Sequence, residues 1–183
     1  MDRSAALELL HEYTQSGALR AHALGVEAAM RAMARASGED EDRWGLAGLL
    51  HDFDYEMHPT PEEHPLQGAP ILRERGVPEA VIQAILGHGN HTGVPRDTPM
   101  ARALFGVDEL VGFITAVALV RPSRKVRDVT AASVRKKMKD KAFARSVSRA
   151  DILQGAEELG VELDRHVELV VDAMAGVADQ LGL

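Results

Sequence analysis

A chain of 183 residues, 45% of them hydrophobic and 27% charged, can bury a real core without disulfides or a structural metal. It has no cysteine, which excludes disulfides, thiolate metal sites and cysteine nucleophiles, so any metal must be held by His, Asp or Glu. The net charge of −7 is uneven: Arg121 to Arg149 holds eleven Lys or Arg against two Asp, a local +9 that leaves −16 elsewhere.

Apolar residues recur at helical spacing along the chain and no stretch alternates with period two, so the expected fold class is all-α. The spacing predicts helices over 4–15, 18–36, 40–51, 62–75, 78–88, 98–120, 130–145, 149–159 and 163–181. Gly17, Gly38, Gly76 and Gly160 fall between these segments. Pro61 and Pro78 suit a first helical turn, and Thr60 and Ser123 suit caps. There is no internal repeat or long linker. The weakest joint is Arg121-Pro122-Ser123, so residues 1–120 are expected to form a helical core and 121–183 a helical extension completing the same domain. The N-terminus shows no signal peptide, and the apolar run Leu110–Val120 is too short to span a bilayer. A cytoplasmic protein with no membrane partner is expected.

Eight histidines stand at 11, 22, 51, 58, 64, 88, 91 and 166, and six of them fall between 22 and 91. His22 shares a helix face with Val26, Ala29 and Met33. His51 closes the helix carrying Trp44, Ala47 and Leu50, and Asp52 follows it. Asp108 sits in an apolar helix between Leu104 and Val111, with no Lys or Arg between Arg102 and Arg121. A carboxylate buried there without a cation costs several kcal/mol. Singly, each residue has a structural explanation. Together, the order H…HD…D on core faces and helix ends points to a divalent metal such as Mn, Fe, Mg, Co or Zn.

That order, with Leu49-Leu50-His51-Asp52 ending a helix, resembles the HD-domain metal-dependent phosphohydrolases. Glu63-His64-Pro65-Leu66-Gln67-Gly68-Ala69, Ala84-Ile85-Leu86-Gly87-His88 and Asp108-Glu109-Leu110 further resemble the HDIG-type subgroup, although Phe53-Asp54 replaces its Ile-Gly. The resemblance covers about residues 18 to 120. It implies a helical HD-type bundle with His22, His51, Asp52 and Asp108 as ligands of a first ion. It also implies His64 and His88 as ligands of a second ion, with Asp52 bridging. His91 is a competing candidate for that second set and is otherwise expected near the substrate. Asp54 and Glu56 are candidates for orienting water or the leaving group, against the alternative of solvated loop carboxylates, and Asp54 joins Asp52 as an expected catalytic residue. His64 is open to a surface location. His11, His58 and His166 are expected at the surface.

The function implied is hydrolysis of a phosphoester in a small phosphorylated metabolite, a nucleotide first of all, by metal-activated water. Cleavage of a nucleoside triphosphate or a dinucleotide polyphosphate is the second enzymatic reading. A non-catalytic signalling or scaffold domain is the third. The basic segment is expected to offer Arg121, Arg124 and Lys125 as a phosphate-binding rim. Its few aromatics and its interspersed Asp128 and Asp140 argue against nucleic acid as a partner. A homodimer is compatible with all of these readings.

Overall fold

The computed structural model describes residues 1–183 and contains ten α-helices, two short 3-10 turns and no strand. The helices are α1 Arg3–Tyr13, α2 Gly17–Ser37, α3 Glu41–Leu50, α4 Gly68–Glu74, α5 Glu79–Leu86, α6 Pro99–Leu119, α7 Ala131–Met138, α8 Arg149–Leu159, α9 Leu163–Ala175 and α10 Ala178–Leu181. The starts are set by side chains that take up free N–H groups of the first turn: Asp2, Ser16, Asp40, Thr98, Thr130 and Ser148 each accept from a residue two or three further on. Gly38 and Gly160 end α2 and α8 in the left-handed conformation, with φ of 70° and 66°.

Two 21-residue helices, α2 and α6, form the spine, each roughly 31 Å long. α3 packs along α2, while α8, α9 and the α4–α5 pair close around them. One continuous buried cluster runs from Ala6 to Ala178, so the residues after 120 share the core of those before it. No helix is long and apolar enough to cross a membrane.

The close approach of α3 to α2 depends on Gly48, where an added Cβ would lie 2.8 Å from the Val26 carbonyl oxygen and 2.9 Å from the Glu27 backbone. That approach sets the end of α3, and with it His51, against the His22 face of α2.

Three expected helices are shorter than their periodicity suggests. Residues 61–67 form turns, with Pro65 lacking the N–H that a helix there would need, and only 68–74 is helical. Neither Thr60 nor Ser123 begins a helix. α7 stops at Met138 because Arg149 takes the carbonyls of Asp140, Phe143, Ala144 and Val147, and because Ala144 has φ of 40°. The last expected helix breaks at Gly176–Val177 into α9 and α10. His166 is buried, contrary to expectation. On the inward face of α9, its Nε2 donates to the Gly106 carbonyl at 2.8 Å.

Candidate metal centre

The centre lies where α2, the end of α3, the loop after it, the end of α5 and the middle of α6 meet. The turn between α1 and α2 is tied to the loop after α3. Thr14 donates to the Phe53 carbonyl at 3.0 Å, and the Glu56 carboxylate accepts the N–H groups of Gln15 and Ser16 at 2.6 and 3.1 Å. Glu56 therefore holds the scaffold that carries His22 and Asp52. It is neither a water-orienting group nor a free loop carboxylate.

Two groups of three side chains converge with ligand atoms within 4.8 Å of one another: His22, His51 and Asp108, and Asp52, His64 and His88. In the first, His22 Nε2 is 2.9 Å from Asp108 Oδ1, and His51 Nε2 is 3.4 Å from the same oxygen. In the second, Asp52 Oδ1 is 3.0 Å from His64 Nε2 and 3.6 Å from His88 Nε2. The other Asp52 oxygen, Oδ2, is 3.5 Å from His51 Nε2 and 3.9 Å from His22 Nε2. Asp52 thus turns one oxygen to each group.

Three of the imidazoles are held from behind. His51 Nδ1 bonds the Gly48 carbonyl at 2.8 Å and His88 Nδ1 bonds the Ile85 carbonyl at 2.6 Å. A carbonyl only accepts, so each Nδ1 carries the proton and each Nε2 can present a lone pair to the common volume. His64 Nδ1 is bound to Asp54 Oδ1 at 2.8 Å, the carboxylate–histidine arrangement that orients a metal-ligating imidazole. His51 Nε2 is fully buried and has no hydrogen-bond partner, which a metal ligand leaves and a core histidine does not. Two carboxylates and four imidazoles, with no sulfur, are a donor set for a divalent ion of hard to borderline character.

The charges are poised to match. Burial pulls the His64 pKa down, but hydrogen bonds to Asp52 and Asp54 and their charges outweigh it and carry it up to about 9. Burial likewise opposes, and the carboxylates overcome it to raise, His51 and His88. Burial raises Asp52 and Asp108, yet the facing imidazoles hold both well below the ordinary carboxylate range. The cluster stabilises positive charge at its centre.

Above the centre opens a cleft of about 540 Å³ lined by fifteen residues, among them His22, Asp52, His64, His88, His91 and Asp108. Tyr55, Asn90, Glu109, Ser146 and Asp151 complete its polar wall. None of these five was foreseen as a site residue; Glu109, one position after Asp108 on α6, was the most accessible to sequence reasoning. Burial first, and the Asp108 charge second, push Glu109 up to about 7 against a hydrogen bond from the Ser148 N–H. Ser146 and Val147 reach the wall because Arg149 pins the loop that carries them. His91 lines the cleft and bonds the His64 carbonyl at 2.9 Å.

Two assignments are corrected by position. Asp54 is fully buried behind His64 and does not line the cleft; its Oδ1 holds His64 Nδ1, so its place in the fold is that of a positioning residue. Arg121, Arg124 and Lys125 also lie off the cleft. α6 continues three turns past Asp108 before the chain turns, which leaves Arg121 beside Lys136 and Lys137 instead. His11 is exposed and His58 lies at the loop surface, 3.9 Å from Glu63.

The sequence matches the HD domain over residues 19–156, three quarters of its length. The chain belongs to the HD domain family. This is a superfamily of metal-dependent phosphohydrolases, and the match extends past the resemblance-bearing motifs into α7 and α8. It carries no assignment to the HDIG-type subgroup. No curated protein and no solved structure matches the chain.

Proposed function

We propose that this HD domain protein hydrolyses a phosphomonoester of a small metabolite, a nucleoside monophosphate among the candidates, at a two-ion centre in which Asp52 is the bridge. The observation that carries this is the pair of ligand groups sharing Asp52 at the floor of an open cleft. His22, His51 and Asp108 would hold one ion, and His64 and His88 the other.

When bound, a divalent ion supplies a Lewis acid that acidifies water and neutralises phosphoryl charge. The chain's own residues do the rest. Asp52 and Asp108 fix the centre with negative charge, and His51, His64 and His88 are held in the ligating orientation by Gly48, Asp54 and Ile85. His91 and Tyr55 stand on the cleft wall within reach of a substrate seated on the floor.

A monoester is favoured over a triphosphate or dinucleotide polyphosphate because none of the fifteen lining residues is Lys or Arg. Distal phosphates would meet Glu109 and Asp151 with no side-chain cation to receive them.

The test is a screen of phosphorylated metabolites with Mn, Mg, Co and Fe, alongside Asp52→Asn and Asp108→Asn. Turnover of monoesters that vanishes in both variants, with bound metal reduced, is expected. Turnover confined to polyphosphates, or metal content unchanged in both variants, would refute the assignment.

A further inference from the structure

The basic segment does not serve the metal cleft, yet it builds a cavity of its own. A volume of about 430 Å³ opens where the end of α6 meets α7, within the size range of small-molecule sites. Arg121, Lys136 and Lys137 stand around it, Val117, Val120 and Pro122 supply apolar surface, and Ser133 completes the lining. No Asp or Glu is among these residues.

Ion pairing is uneven among the cations of the molecule. Eight arginines, from Arg3 to Arg165, form ion pairs with Asp or Glu. Arg135, one position before Lys136, pairs outward with Asp164 at 3.2 Å. Arg121, Lys136 and Lys137 form no ion pair, although gathering three like charges around one concavity costs free energy unless an anion joins them. Lys137 has only the Phe143 ring, 4.5 Å from its Nζ. Beside the cavity, Leu119 and Val120 are 42% and 57% exposed, so apolar surface is presented next to the charges.

We infer that this cavity is a second ligand site, separate from the metal cleft, which binds the phosphate groups of a small organic phosphate. The phosphates would lie between Arg121 and the two lysines, and the carbon portion against Val117, Val120 and Pro122. The two sites share no lining residue. Val117 is nine residues beyond Asp108 on α6, roughly 14 Å along the axis. The charge and shape of the cavity support this site whether or not the metal cleft hydrolyses monoesters.

Adenosine diphosphate is a suitable probe, titrated into the full chain with Mg²⁺ and again with chelator, and followed by the methyl resonances of Val117, Val120 and Val147. Saturable shifts of Val117 and Val120 that persist in chelator are expected, since these cations need no metal. Arg121→Ala or Lys136→Ala should weaken binding about ten-fold at low salt with little change in melting temperature, as expected for loss of one charge-assisted phosphate contact. Shifts confined to Val147 on the cleft wall would overturn the proposal, as would unchanged affinity in both variants. Saturable shifts of the same two valines with a short oligonucleotide but not with the diphosphate would also overturn it, in favour of a nucleic-acid surface.

Discussion

Asp54 offers the sharpest test of the centre, because it is remote from any substrate yet holds one ligand. Its Oδ1 receives the His64 Nδ1 proton at 2.8 Å, with His64 5% exposed and Asp54 fully buried. A charge-assisted hydrogen bond in such surroundings contributes about 1.5–3 kcal/mol. Removing the carboxylate behind a ligating imidazole costs about 10–100-fold in metal affinity, or roughly 1.4–2.7 kcal/mol, which agrees with that range. Asp54→Ala should therefore lower the affinity of the ion held by Asp52, His64 and His88 by one to two decades. The ion held by His22, His51 and Asp108 should be nearly unaffected. Asp54→Asn keeps an acceptor oxygen without the charge and should recover part of the loss. The assay is competitive metal titration resolved into two binding steps, with kcat and KM measured on the same preparations at saturating metal. Saturating metal should restore most of kcat in the alanine variant, since Asp54 does not reach the cleft. Two wild-type binding steps in Asp54→Ala would refute the idea that this carboxylate orients a ligand. A kcat that no metal concentration restores would return it to the catalytic role expected from sequence.

Two further predictions concern the scaffold. Gly48→Ala would force a Cβ to within 2.8 Å of the Val26 carbonyl and push α3 off α2, costing about 1–3 kcal/mol, or roughly 2–12 °C of melting temperature, with weakened metal binding as His51 moves; an unchanged melting temperature would show that the helix pair tolerates the shift. Burial holds the His166 pKa below its ordinary value against the opposing hydrogen bond that its ring donates to the Gly106 carbonyl. The folded chain therefore binds fewer protons at this site than the unfolded one. Stability is full above about pH 6.5 and falls as the pH drops below it. Melting curves of wild type and His166→Gln between pH 5.5 and 7.5 should therefore converge at the acid end, and parallel curves would contradict this.

How much of the molecule is legible in the sequence follows from how local each signal is. The all-α fold class is carried by a 3.6-residue period that every segment repeats, and the structure has no strand. The helix ends were less legible because several are set by distant partners. Nothing near 139–148 in the sequence announces that Arg149 will take four carbonyls from that loop and stop α7 early. The real caps Asp40, Thr98, Thr130 and Ser148 are short-range signals. Thr60 and Ser123 carry the same kind of signal, yet they stand near prolines in turns that never become helices.

The same distinction runs through the site. His22, His51 and Asp108 betray themselves as polar groups on apolar faces or helix ends, a contradiction visible along a single helix, and Asp52 is marked by following His51. Asp54 gives no such sign. Four residues past the end of α3 it looks like any loop carboxylate, and only the fold shows it sealed behind His64, with Gly68 leaving the space: a Cβ there would sit 2.5 Å from Asp54 Oδ2. The basic segment misled for the opposite reason. Its charge is obvious in the sequence, but charge has no direction until the helix beneath it is laid down. Asp108 and Arg121 are close in sequence, yet the straight course of α6 separates them by about 20 Å of rise. The cations therefore belong to a different cavity from the carboxylate, and the cleft is left without them. A cleft lined by no Lys or Arg has to draw its phosphate affinity from the cluster of His22, His51, Asp52, His64, His88 and Asp108 and from what that cluster holds. Metal occupancy and substrate binding should then rise and fall together in this protein.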